Sequence, residues 1–211
     1  MIDCLQNDFT AHFGLTGTYT VVHYTAQGNV VFHDDKACED CKKVNKQQCD
    51  NATDEQNFLL FSDSDFEVVQ IEKYFNQFNG KRAGLSNRCD LMLFSDDKIA
   101  FVDMYCGQQK FIYSYINQKG LQEGKLAKAR KQITNVIEKL CEVPSIHLKL
   151  LLYHKKTGVF ACRKKQPVGE GTLDEENMQV FINTTAETDT HTLLTNGFEF
   201  VVVDYPDVYA W

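Results

Sequence analysis

The sequence lacks several features that mark special classes of protein. Its 211 residues include only 3 prolines and 12 glycines, and no run of 18 apolar residues occurs. The low proline and glycine content excludes a collagen-like chain, and the missing apolar run predicts that no helix crosses a membrane. The first residues also lack the basic and apolar regions of a secretory signal peptide. We therefore expect a cytoplasmic protein without a membrane partner.

Basic charge is also scarce. Lys and Arg number 22 against 29 Asp and Glu, which gives a net charge of −7. A protein that binds nucleic acid by itself usually carries a basic stripe, because phosphate neutralisation dominates that affinity. The balance counts against an autonomous nucleic-acid binder, although it leaves room for a local basic groove. Aromatic residues are plentiful, with 15 Phe and 9 Tyr, and they supply a full core.

The apolar pattern predicts an α/β fold with a mixed central sheet flanked by helices. Two runs are apolar on both faces, as in central strands, and one long segment is amphipathic with a helical period. The predicted strands are 17–24, 29–33, 89–94, 99–106, 147–154, 158–162 and 197–205, and the predicted helices are 65–78 and 121–141. The first two strands predict a β-hairpin. We expect residues 1–57 to pack this hairpin and a polar loop on a core of residues 58–211.

Three of the eight cysteines lie close together in that polar loop. Cys38 and Cys41 have the spacing of a zinc knuckle, but the second close pair of a four-ligand zinc site is absent. The candidate ligands are Cys38, Cys41, Cys49 and His33, with His23 or Cys4 as alternatives to His33. A solvated loop with reduced thiols is the other interpretation, and the sequence leaves both open.

A pair of aspartates marks the two central strands. If the hairpin turns at residues 96–97, antiparallel pairing joins residues whose numbers add up to 193, so Asp90 faces Asp103 with Cβ atoms about 4.5–5.5 Å apart. Tyr105 then shares the face of Asp103. Two facing carboxylates repel, so the pattern indicates a divalent cation between them or one protonated carboxylate. The structural alternative is that backbone N–H groups or Arg88 satisfy both carboxylates.

These two strands resemble the core of the PD-(D/E)XK nuclease superfamily, whose fold is restriction-endonuclease-like. The similar residues are Arg88-Cys89-Asp90, the apolar strand and turn after them, and Phe101-Val102-Asp103-Met104-Tyr105. The resemblance covers roughly residues 66–153. It implies that Asp90 and Asp103 hold Mg²⁺, with Glu67 or Glu72 on the preceding helix as the upstream acid. It also implies site roles for Lys128 and Gln132 on the helix that follows.

The chain departs from the superfamily pattern at Tyr105, where the superfamily has a lysine. A neutral phenol donates a hydrogen bond but supplies no cation to developing negative charge. A relocated lysine could compensate, and the candidates are Lys110, Lys125, Lys128 and Lys131.

The resemblance with this departure implies a catalytically degenerate protein that serves as a binding or assembly subunit beside another protein. The superfamily is common in microbial defence against phage and mobile DNA. The alternative is an active Mg²⁺-dependent DNA endonuclease with a relocated lysine, for which DNA would be the partner. A small-molecule or nucleotide sensor on the same fold is a third interpretation.

Overall fold

The computed structural model describes residues 1–33, 56–108, 111–117, 119–165 and 193–211. The helices are α1 (a π-helical segment Cys4–Phe9 that continues as Thr10–His12), α2 (Ile71–Asn76), α3 (Lys125–Cys141) and α4 (Pro144–Leu152). The strands are β1 (His23–His33), β2 (Gln56–Val69), β3 (Leu91–Phe94), β4 (Lys98–Gln108), β5 (Tyr115–Asn117), β6 (Gly120–Gln122), β7 (Lys155–Lys165), β8 (Glu199–Asp204) and β9 (Val208–Ala210).

A seven-stranded mixed sheet forms the centre of the molecule. Its order is β1-β2-β3-β4-β7-β8, and β9 pairs with β2. The pairs β1–β2, β2–β3 and β3–β4 are antiparallel, whereas the pairs β4–β7, β7–β8 and β2–β9 are parallel. β5 and β6 form a separate two-stranded sheet. The predicted mixed α/β architecture, with a central sheet flanked by helices, is confirmed.

The sheet curls until its last strand meets its second. β9 follows β8 after a short turn, yet Val208–Ala210 pair in parallel with Leu59–Phe61 of β2, on the edge of β2 that also holds β3. β2 and β7, which are not neighbours in the sheet, also contact each other. The interior of this curl is apolar and buried; it includes Val30, Phe32, Phe58, Leu60, Phe66, Val68, Leu91, Leu93, Val102, Val159 and Ala161.

The opposite face of the sheet is covered by the helices. Alternation along the strands sends Met92 and Phe101 to this side, while their neighbours face the curl. The phenol of Tyr74 in α2 donates a hydrogen bond of 2.6 Å to the carbonyl of Leu5, which ties α1 to the core. Within the described residues, no helix has both the length and the apolar character needed to span a bilayer.

The predicted β-hairpin within residues 17–33 is wrong. β1 runs without a break through residues 26–28 and pairs with β2, not with itself. Gly28 has a φ of +72°, and it lies beside a register shift where the pairing steps from Ala26–Phe66 to Gly28–Ser62. The glycine therefore serves a β-bulge, which needs the same backbone freedom as a turn. The predicted domain boundary at residue 57 falls inside β2.

One predicted helix is shorter in the structure, and one predicted strand is a helix. Residues 65–69 belong to β2, so the predicted helix 65–78 shrinks to α2, because Phe66 and Val68 alternate as in a strand and only the later aromatic residues have a helical period. The predicted strand 147–154 is α4. Pro144 begins this helix, since its fixed φ suits the first turn.

The predicted hairpin of the two central strands is confirmed in its register. Leu91 pairs with Val102 and Phe94 pairs with Ile99, so the paired residue numbers add up to 193. The predicted long helix is confirmed as α3, which packs against β4 and β7. The β3–β4 hairpin and α3 hold Asp90, Asp103, Tyr105 and Gln132 on one side of the sheet.

Candidate functional site

Asp90 and Asp103 are the buried acids of the β3–β4 hairpin. Their residues are only 7% and 8% exposed. Extending the hairpin register by one residue beyond Leu91 and Val102 brings the two aspartates opposite each other. Oδ2 of Asp90 accepts a hydrogen bond of 2.7 Å from the backbone N–H of Met104. The structure thus supplies Asp90 with a backbone donor, as the structural alternative expected.

The backbone of Asp90 joins three elements. Its N–H donates to the carbonyl of Val102 at 3.0 Å, and its carbonyl accepts from the N–H of Glu72 at 3.2 Å. Glu72 lies in the first turn of α2. The start of β3 is therefore held by β4 on one side and by α2 on the other, so the position of Asp90 is fixed by main-chain bonds.

The buried thiol of Cys89 lies within the electrostatic field of these acids. Burial raises the pKa of the Cys89 thiol well above its usual range, and the charges of Asp103, Asp90 and Glu72 raise that pKa further. The charges of three of the four acids predicted as metal ligands therefore act on the pKa of this one thiol. Cys89 itself was not predicted as a site residue, because its apolar flanks indicated only a core position.

Glu67 does not join this cluster. It lies on β2 opposite Phe94, four residues along β3 from Asp90, which corresponds to about 13 Å along a strand. Its Oε2 lies 3.0 Å from Nδ1 of His23, and its Oε1 accepts a hydrogen bond of 2.5 Å from Thr25. Its predicted place on a helix is wrong, because β2 extends to Val69. Glu67 is instead bound to residues of β1.

The pKa of Glu67 reflects this environment. Burial acts to raise the pKa of the carboxyl group, but the hydrogen bonds from Thr25 and His23, together with the charge of His23, outweigh burial. The net result is a pKa below the usual value for glutamate. The carboxylate form is stabilised by its contacts across the β1–β2 pair.

Gln132 connects α3 to the segment that leads into β3. Its Nε2 donates a hydrogen bond of 2.8 Å to the carbonyl of Arg88, and Nδ2 of Asn135 donates to the carbonyl of Asn87 at 3.4 Å. The sequence pointed to Gln132 through the superfamily resemblance, and it gave no signal for Asn135. Both side chains bind backbone next to Asp90, so they position the hairpin against α3.

Arg88 does not take the role of a counter-ion that the structural alternative offered it. Its guanidinium donates to Oδ1 of Asn79 at 3.3 Å, to Oδ1 of Asn76 and to the carbonyl of Leu85. These partners lie at the end of α2 and in the loop after it. The side chain therefore organises that loop, whereas its carbonyl binds Gln132.

Tyr105 lies beside a lysine of α3. The ammonium of Lys125, the first residue of that helix, is 5.3 Å from the centroid of the Tyr105 ring, within the range of a cation–π contact. Burial raises the pKa of Tyr105, so the phenol is neutral at physiological pH. Lys128 is exposed, Lys131 pairs with Glu123, and Lys110 lies outside the described residues.

The described residues do not form a complete metal site. In that part of the chain, no group of three or more His, Cys, Asp or Glu side chains is arranged to hold a metal ion. Asp90 and Asp103 supply two neighbouring acids, but the Asp90 carboxylate is already bonded to the Met104 N–H. We derive no metal-dependent step from these residues, and the Mg²⁺ site stays a prediction.

The predicted zinc ligands fall largely outside the described structure. Cys38, Cys41 and Cys49 lie outside the described residues, and His33 is a fully buried residue at the end of β1. His23, one alternative ligand, contacts Glu67 instead. The zinc site stays a prediction.

A second feature is an acidic groove beside the bulge of β2, where residues 63–65 lie opposite the single residue Gln27 of β1. It has a volume of about 740 Å³ and lies between the bulge and the turn that joins β3 to β4. Its acidic lining residues are Asp63, Asp65, Glu67, Asp96 and Asp97. No Lys or Arg is among the described residues that line it, so this groove is unsuited to the phosphates of a nucleic acid.

Comparison with protein-family models, with curated proteins and with solved structures finds no match to this chain.

Proposed function

We propose that the protein is a catalytically degenerate relative of the PD-(D/E)XK nucleases and acts as a binding or assembly subunit beside another protein. The observation that carries the proposal is the neutral phenol of Tyr105, which lies two residues after Asp103 on β4. The first acid of the motif, Asp90, accepts a hydrogen bond from the Met104 N–H. Next to it, Tyr105 takes the place of the superfamily lysine, so the site retains two acids without its usual cation.

Charge supports a protein partner over DNA. The chain carries a net charge of −7, and the groove beside the β2 bulge is lined by five carboxylates. Both features repel a polyanion. By analogy with the superfamily, the proposal includes a cytoplasmic location and a role in microbial defence against phage or mobile DNA.

A second candidate function is a Mg²⁺-dependent DNA endonuclease with a relocated lysine. The contact between Lys125 and the Tyr105 ring favours this candidate, because it brings an ammonium next to the position of the superfamily lysine. In that case Asp90 and Asp103 would hold the metal, and Lys125 would supply the missing positive charge.

Incubation of the purified protein with supercoiled plasmid and Mg²⁺ or Mn²⁺ separates the two candidates. We expect no nicking or linearisation above the rate in the absence of protein. Three variants serve as probes: Asp103→Ala, Lys125→Ala and, as a control, Lys81→Ala, which changes an exposed lysine without a predicted role in the site.

Cleavage by the wild-type protein that Asp103→Ala abolishes would overturn the proposal. If Lys125→Ala also abolishes cleavage and Lys81→Ala does not, the relocated-lysine candidate replaces it. Cleavage that survives Asp103→Ala would point to a contaminating nuclease and leave the degenerate assignment standing.

A further inference from the structure

The sequence contains two Asn-Gly dipeptides, and both lie in the described part of the chain. Asn79-Gly80 follows α2, and Asn196-Gly197 precedes β8. An asparagine before glycine is prone to spontaneous deamidation, because glycine has no side chain to hinder attack of its backbone nitrogen on the asparagine amide. The two sites share this sequence signal, so a difference in their reactivity must come from the structure around them.

The first site leaves the attacking nitrogen available. Asn79 and Gly80 are both exposed, and a Cβ atom added to Gly80 would meet no heavy atom within 4 Å beyond the neighbouring residues. Gly80 has a φ of +76° in a tight turn that is closed by a hydrogen bond from the N–H of Lys81 to the carbonyl of Phe78. Among the residues that the structure describes, none accepts a hydrogen bond from the N–H of Gly80. This nitrogen is therefore open to water and free to react.

The side-chain amide of Asn79 is also bound by a cation. Nη1 of Arg88 donates a hydrogen bond of 3.3 Å to Oδ1 of Asn79. Attack on the carbon of an amide places negative charge on the amide oxygen, and a donor already aimed at that oxygen stabilises this charge. The guanidinium does not lose its proton in proteins, and further hydrogen bonds to Asn76 and Leu85 fix its position. Arg88 therefore activates the Asn79 amide for attack.

The second site is protected by its surroundings. The N–H of Gly197 donates a hydrogen bond of 2.9 Å to the carbonyl of Leu194, so this nitrogen is already engaged. Asn196 is half-buried, and its Oδ1 lies 3.9 Å from the thiol of Cys141, which is a weak donor. Attack at this site would require the Gly197 nitrogen to give up its hydrogen bond first.

We propose that Asn79 is a site of spontaneous deamidation that Arg88 promotes. The backbone nitrogen of Gly80 attacks Cγ of Asn79 and loses its proton, the bond from Cγ to Nδ2 breaks, and the amide nitrogen leaves as ammonia. The five-membered succinimide that results takes up one water molecule and opens to aspartate or isoaspartate. Water is the only co-reactant. The inference is independent of the proposed function, because it concerns the loop after α2 and not the pair of acids.

The reaction changes the charge of the loop that Arg88 organises. The carboxylate of a new aspartate lies beside the guanidinium and accepts a charge-assisted hydrogen bond, which is stronger than a bond to a neutral amide. In isoaspartate the main chain passes through the former side chain, so the turn after α2 gains a backbone atom. Because Arg88 directly precedes Cys89 and Asp90, the modification acts at the border of the candidate site.

The test follows both sites in one sample of the full chain. The protein is incubated at mildly alkaline pH in water enriched in the heavy oxygen isotope, and peptide mass spectrometry measures the labelled carboxyl group formed at Asn79 and at Asn196. The same measurement in urea gives the two rates in the unfolded chain. The variant Arg88→Met removes the charged donor. Arg82→Met is the matched control, because it removes an exposed arginine three residues from Asn79.

We expect Asn79 to deamidate at least about tenfold faster than Asn196 in the native protein, and the two rates to agree within about twofold in urea. Arg88→Met should slow the native reaction at Asn79 by about threefold or more, a smaller effect than in an enclosed oxyanion hole because the site is exposed to water. Arg82→Met should leave the rate unchanged. The melting temperature of each variant verifies the fold. If Arg88→Met does not fold, Arg88→Lys replaces it and should also slow the reaction, because lysine lacks the planar fork that reaches Asn76 and Asn79 together.

Equal rates at Asn79 and Asn196 in the native protein would overturn the proposal, since the structure would then make no difference between the two sites. Label at Asn79 that appears only in urea would overturn it as well, because the native turn would then prevent the attack. A native rate at Asn79 that Arg88→Met leaves unchanged would overturn the role assigned to Arg88.

Discussion

The carboxylate of Asp90 reaches across the β3–β4 hairpin to the backbone N–H of Met104, the residue next to Asp103. The first acid of the pair is therefore bonded to the strand that carries the second. Buried polar groups in folded proteins are nearly always hydrogen-bonded, and a carboxylate is a strong acceptor for an amide. The bond gives Asp90 a structural role whether or not the hairpin also has a chemical one.

Loss of this acceptor should destabilise the fold. We expect Asp90→Ala to lower the free energy of unfolding by about 1–3 kcal/mol, because the N–H of Met104 would be left buried without its acceptor. Asp90→Asn should cost less, since the amide oxygen of asparagine can still accept the bond. Urea unfolding of the three proteins measures the difference. Equal losses for the two substitutions would mean that the charge of Asp90, and not its acceptor, matters for stability.

Neutralising the second acid should have a different effect. If like charges repel across the hairpin, Asp103→Asn should be neutral or stabilising without metal, by about 0.2–1 kcal/mol. Thermal melts with and without Mg²⁺ or Mn²⁺ also test metal binding. A rise in the melting temperature of the wild type that the variant loses would indicate a bound ion, because a ligand of the native state stabilises it.

The remaining outcome of that experiment is equally informative. A large loss of stability in Asp103→Asn without metal would show that the carboxylate is paired with a structural partner. In that case the repulsion inferred from the register does not control the site.

The pair between Glu67 and His23 should give the fold a dependence on pH. The pKa of Glu67 is lower in the folded protein than its usual value, so its contribution to stability is present above pH 4.5 and is lost as the pH falls through the folded pKa. We expect Glu67→Gln to lower stability at pH 6 by about 0.2–1 kcal/mol. This difference should disappear below the folded pKa.

Denaturant unfolding at several pH values checks the dependence on Glu67. Glu138→Gln, which changes an exposed glutamate on α3, is the control and should show no such pattern. If the effect of Glu67→Gln stayed constant down to acidic pH, the linkage to this carboxyl group would be wrong.

The thiol of Cys89 should resist alkylation. It is fully buried, and burial together with the charges of Asp103 and Asp90 keeps its pKa well above the usual value, so little thiolate forms at pH 8. Iodoacetamide labelling followed by peptide mass spectrometry should find Cys89 modified only after unfolding. Cys106, which is partly exposed, provides the comparison within the same strand pair and should react first. Rapid modification of Cys89 in the native protein would show that the hairpin opens readily.

The sequence predicts the elements whose signals are local. The register of β3 and β4 followed from two apolar runs and the short turn between them, and α3 followed from its period. The pairing of β1 with β2 could not be predicted, because the sequence indicated no strand in residues 56–64 and the bulge at Gly28 has the composition of a turn. α4 was mistaken for a strand since it is apolar on both sides, which removes the periodic signal.

The candidate site also has parts that the sequence predicts and parts that it does not. The proximity of Asp90 to Asp103 followed from arithmetic on one hairpin. The hydrogen bond between Asp90 and Met104 could not be predicted. The Asp90 side chain accepts it from the backbone N–H of the residue after its cross-strand partner Asp103, and such a contact leaves no pattern in the sequence. Glu67 was assigned to a helix because the sequence did not show that β2 extends to Val69. The contact of Lys125 with Tyr105 could not be predicted because it depends on how α3 packs against β4.

The pairing of β9 with β2 has a consequence for how the chain folds. Val208–Ala210 join Leu59–Phe61, so the curl of the sheet cannot be completed before almost the whole sequence is present. Contacts between such distant segments form slowly, because the entropy of loop closure opposes them until they are made. During synthesis, Phe58 and Leu60 would lack their last neighbouring strand until β9 has been made. We therefore expect the nascent chain to depend on chaperones at the stage when β2 has been made and β9 has not.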